Sequence, residues 1–82
     1  MNEEIKNKAK FYLRRYAEIV SDKIINIKSN LEFDRNVLQK RGAYANDWYA
    51  VILQKRIKSR KQGLEASINV LKDIDEVGNS LS

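Results

Sequence analysis

Apolar residues recur at helical spacing along the whole chain. In the first half, Ile5, Ala9, Tyr12, Tyr16, Val20, Ile24, Ile27, Leu31 and Leu38 advance by threes and fours, with one step of seven at the end. At about 100° per residue these positions stay within roughly one third of the circumference, and Leu13, Ile19 and Val37 widen the stripe. Lys10, Arg14, Glu18, Asp22, Lys28 and Glu32 take the opposite side. The pattern predicts one amphipathic helix over about residues 3–41, with Glu3 and Glu4 where the helix dipole favours carboxylates. Ser29-Asn30-Leu31-Glu32 has the form of a capping box, but the stripe keeps its phase through it, and sustained phase is the stronger signal.

Arg41-Gly42 is a stop signal, a cation in the last turn followed by glycine. Asn46 or Asp47 then caps a second helix that opens with Trp48-Tyr49 and runs to about residue 77. Ala50, Leu53, Ile57, Leu64, Ile68, Leu71 and Ile74 share one face of it, and Arg60 and Lys61 are the missing contributors to that face. Gly63 marks a place for a kink; a full break there gives a three-helix bundle instead. Gly78-Asn79-Ser80 is expected to end the ordered part, leaving 78–82 as a frayed tail of a single helical domain.

Two helices joined by a short loop fold back antiparallel, so the expected class is all-α, a long helical hairpin. With the turn centred near Tyr44, Val20 comes near Ile68, Ile24 near Leu64, Leu31 near Ile57 and Leu38 near Ala50. Apolar meets apolar throughout. Ile25, Ile52, Val70 and Val77, with Phe11, Phe33 and Trp48, find no cover in a two-helix monomer. Burying one such side chain is worth about 1.5–3 kcal/mol, which favours pairing of two hairpins into a dimeric four-helix bundle.

Composition narrows the function more than the fold. The 82 residues contain no cysteine, histidine or proline, which excludes disulfides, Cys/His metal sites, a cysteine nucleophile and any imidazole-dependent triad. No Gly-rich phosphate loop is present, and Asp73, Asp75 and Glu76 are spaced to different helix faces. The expectation is a non-enzyme with no cofactor, no metal and no small-molecule substrate. The acidic start Met1-Asn2-Glu3-Glu4 lacks an apolar signal region, and the longest apolar run is Trp48–Leu53. A cytoplasmic location without membrane contact follows as the default, although the basic, amphipathic first helix up to Ile27 has the make-up of an interfacial one.

Net charge is +5, and it is uneven. Lys55, Arg56, Lys58, Arg60 and Lys61 place five cations within seven residues, while residues 63–82 hold one basic and four acidic side chains. Such a cluster neutralises phosphates and releases their counterions, so it is the candidate surface for nucleic acid or another acidic partner. Arg14 and Arg15 belong to a second basic group near the other end of the hairpin. Tyr44, Trp48, Tyr49 and Phe33 are the candidate protein-interface residues, with Trp48 first expected to close the turn end of the core. Two functions follow as expectations. One is a regulatory protein engaging nucleic acid or a nucleoprotein complex through the Lys/Arg cluster. The other is a phage- or mobile-element-type inhibitor or adaptor that binds a host protein, such as a nucleic-acid enzyme, through its aromatic and apolar residues.

Overall fold

The computed structural model describes residues 2–40 and 48–81. Helix α1 spans Glu3–Lys40 and helix α2 spans Trp48–Leu81, and no strand occurs among the described residues. The expected stop at Arg41-Gly42, Tyr44 and the caps Asn46 and Asp47 lie outside them. At 1.5 Å per residue, helices of 38 and 34 residues are about 57 and 51 Å long. They lie side by side in a rod of 62 × 14 × 14 Å. Asp34 of α1 meets Arg56 of α2 while Val20 clusters with Ile74, so the two run antiparallel.

The start of α1 is capped by Asn2. Its side-chain oxygen accepts a hydrogen bond from the Glu4 amide at 2.8 Å, and its carbonyl accepts one from the Lys6 amide at 3.0 Å. Neither suspected interruption occurs. α1 is unbroken at Ser29-Asn30, and α2 passes through Gly63, which has no positive φ, so the described residues form two helices and not the three of a bundle broken there. α2 also outruns its expected end. Gly78, Asn79 and Ser80 are helical, and the Ser80 hydroxyl donates to the Glu76 carbonyl at 3.0 Å within the last turn.

The contact between the helices follows a seam of alternating three- and four-residue steps. On α1 it comprises Leu13, Ala17, Val20, Ile24, Ile27, Leu31, Asp34 and Leu38; on α2, Ala50, Leu53, Ile57, Arg60, Leu64, Ser67, Leu71 and Ile74. All sixteen are buried or half-buried. A seven-residue repeat of this kind keeps two helices facing each other along their length. Val20, Ile24 and Ile74 form the core cluster, with Leu13, Ala17, Leu64, Ile68 and Leu71 among the residues packed against it.

One expectation fails along the first half of α1. Ile5, Tyr12 and Tyr16 are exposed, Tyr12 by 68%, and Leu13 and Ala17 take the core side in their place. Phe11, expected to find no cover in a lone hairpin, is exposed. The reason is periodic. A stripe traced back from Val20 through Tyr16 and Tyr12 takes two steps of four, whereas the seam needs 3.5 residues per turn and reaches Ala17 and Leu13. Trp48 likewise does not close the turn end: it is 71% exposed.

Candidate functional site: a buried acid clasped by two arginines

The most unusual position of the seam is Asp34, a carboxylate of 0% exposure in a hairpin only two helices thick. Burying an ionised group demands partners, and α2 supplies two. Arg56 donates Nη2–H to Oδ1 at 2.6 Å and Nε–H to Oδ2 at 3.1 Å, a bidentate fork. Arg60 adds Nη1 at 3.0 Å from Oδ2. These guanidinium groups hold the Asp34 carboxyl below its ordinary pKa against the upward push of burial, the Arg56 hydrogen bonds being the largest cause. Arg56 is raised in turn by its hydrogen bonds to Asp34. A carboxylate so stabilised in its charged form is a poor proton acceptor, which makes the clasp a joint between helices rather than an acid–base pair.

The clasp reorganises the basic cluster. Its two arginines are committed to Asp34, with Arg56 and Arg60 side chains 42% and 29% exposed, whereas Lys55, Lys58 and Lys61 stand in solvent. One carboxylate against two guanidiniums leaves one positive charge at the joint. Asp34 has no place among the predicted site residues, yet the sequence carries a trace of it. The apolar stripe of α1 skips a seam position between Leu31 and Leu38, that of α2 skips one between Ile57 and Leu64, and the skipped residues are Asp34 and Arg60.

On either side of the seam the hairpin has two unlike flanks. Residues that directly follow seam positions are largely charged: Arg14, Glu18, Lys28, Glu32 and Arg35 on α1, and Lys58, Lys61, Glu65, Lys72 and Asp75 on α2. A groove on this flank has Leu31, Leu64 and Ile68 along its floor and Lys28, Arg35, Lys61 and Lys72 around its rim, with Glu32 and Glu65 between them. Residues that directly precede seam positions are mostly apolar or small, with Lys23, Asn26, Asn30, Arg56 and Asp73 the exceptions, and a second groove joins Tyr16, Ile19 and Lys23 to Gly63, Ala66 and Val70.

The remaining predicted residues are dispersed. Arg15 lies 3.5 Å from Glu18, an exposed pair of little energetic weight, and Arg14 borders a shallow groove beside Asp75. Along α1, Arg14 is some 18 residues from the level of Glu32, so it stands roughly 27 Å along the rod from Lys61, at the far end of the charged flank. Trp48 and Tyr49 meet edge to face at 5.9 Å, and Phe33 is exposed; Tyr44 lies outside the described residues. Among the described residues no group of three or more acidic side chains is placed to hold a metal ion, and no helix is long and apolar enough to cross a membrane.

Fold and site together define the class: an antiparallel two-helix hairpin with an ion-paired clasp in its seam, one charged flank and one mostly apolar flank. No protein-family profile, curated protein or solved structure matches the chain.

Proposed function

We propose that this hairpin is a non-catalytic regulatory module that pairs with a second copy into a four-helix bundle and engages nucleic acid, alone or in a nucleoprotein complex, through its charged flank. The observation that carries this reading is the set of exposed cations on that flank, Lys58 on α2 and, around one groove, Lys28, Arg35, Lys61 and Lys72, while Lys55 stands on the outer face of α2. Lysines on a helix contact phosphates as point charges and confer affinity that salt screens away. Arg56 and Arg60 act behind them, fixing the stretch of α2 from which the lysines project.

Binding of labelled duplex and single-stranded DNA and RNA at two salt concentrations tests the reading. Affinity is expected to fall steeply with salt, by about 0.9 in the log–log slope for each duplex phosphate contacted. Lys58→Glu with Lys61→Glu is expected to weaken binding and flatten that slope while leaving the helix content intact. Absence of any salt-dependent binding at low salt sinks it. The exposure of Trp48 favours a second reading, capture of a protein target by its indole face. In that case Trp48→Ala abolishes capture and the double lysine variant retains it.

A further inference from the structure

We infer that the apolar flank, centred on the groove between Tyr16 and Ile19 of α1 and Gly63, Ala66 and Val70 of α2, is the surface on which a second copy of this chain lies. The inference rests on the self-pairing proposed above and names its interface. Its first support is area. The chain exposes 6429 Å², whereas a compact monomer of 9.6 kDa exposes roughly 5,100 Å². The excess of about 1,300 Å² per copy, roughly 2,600 Å² for two, falls within the range of obligate homodimer interfaces.

The second support is the make-up of the flank. Along the residues that directly precede the seam, from Tyr12 to Asp73, the charged side chains are Lys23, Arg56 and Asp73, and Arg56 is already held by Asp34. The opposite flank carries charge at most of its positions and solvates well in either state. The third support is shape. α1 contributes the large Tyr16 and Ile19, α2 the small Gly63 and Ala66, and a methyl group added at Gly63 meets nothing within 4 Å. The hairpin itself therefore does not require glycine there. A self-complementary interface needs bulk and hollow on the same surface, and here α1 of one copy fits against α2 of the other.

Sedimentation and thiol labelling together test this. Wild-type protein is expected to sediment at twice 9.6 kDa. Ala66→Glu, an exposed position on the apolar flank, is expected to sediment as a monomer, while Glu65→Lys on the charged flank stays dimeric. Because the chain has no cysteine, Ala66→Cys and Glu65→Cys are clean reporters. Labelling at Ala66→Cys is expected to be slow at high protein concentration and to quicken at least tenfold on dilution, and at Glu65→Cys to be fast throughout. A dimer in which Ala66→Cys labels fast at every concentration overturns the choice of flank and leaves self-pairing standing. A helical wild-type monomer at high concentration overturns both, and frees the flank for an unlike protein.

Discussion

At the scale of single residues, the hairpin turns on Asp34. Its buried carboxylate is tolerable only while Arg56 and Arg60 hold it, so the two halves of the clasp are not equivalent. Replacing both arginines by leucine leaves the Asp34 carboxylate against apolar groups with no donor, and the loss of stability is expected to exceed that of removing the acid. Asp34→Ala strands two arginines that reach water already, and the expected loss is smaller, about 1–3 kcal/mol. Urea unfolding followed by helical circular dichroism separates the two, and the reverse order would refute the clasp as drawn. Acid acts on the same group. Because the folded state depresses the Asp34 pKa below its ordinary 3.8, the unfolded chain takes up the proton first. The stabilisation is therefore complete above about pH 5 and is lost as pH falls through 3.8 and below. Asp34→Asn is expected to flatten that part of an acid titration. None of the three residues announces itself in the sequence, since Asp and Arg on a helix are ordinarily solvated. The paired gaps in the apolar stripes point to Asp34 and Arg60 but not to Arg56, and a gap does not say whether its occupant turns inward.

At the scale of elements, the helices are the legible part. Apolar recurrence alone carries their number and their antiparallel order. Local end signals do less well. Ser29-Asn30 and Gly63 both resemble boundaries, yet tertiary contact runs on either side of each, and one residue of poor propensity costs about 1 kcal/mol or less against that. The first half of α1 is misassigned for a finer reason, successive steps of four where the seam alternates three and four, which shifts the inward position from Tyr16 to Ala17. Gly78 shows the same competition from the other side. It lies inside α2 with helical backbone, and an added methyl group meets nothing within 4 Å. Gly78→Ala is expected to stabilise the protein by about 0.5–1 kcal/mol, read as a higher midpoint in urea; an unchanged or lower midpoint would mean that the last turn is not helical in solution.

At the scale of the whole molecule, a rod 14 Å thick has little interior. Among the described residues the buried apolar side chains are Val20, Ile24, Leu31, Ala50, Leu53, Ile57 and Ile74, while Phe33, Trp48 and nine other large apolar residues remain in solvent. Two-element domains of this size seldom stand without staples, and this chain has no disulfide to serve as one. If the apolar flank closes on a second copy, folding and association become one equilibrium, and the melting temperature must depend on protein concentration. The size of the effect follows from two quantities. A hundredfold rise in concentration is worth about 2.7 kcal/mol, and unfolding two such chains releases about 0.34 kcal/mol per kelvin of entropy. The melting temperature is therefore expected to climb by about 8 °C across that range. A lone hairpin, whatever its partners in the cell, melts at one temperature at every concentration. Differential scanning calorimetry at the two extremes distinguishes the cases, and Ala66→Glu is expected to abolish the dependence while Glu65→Lys keeps it.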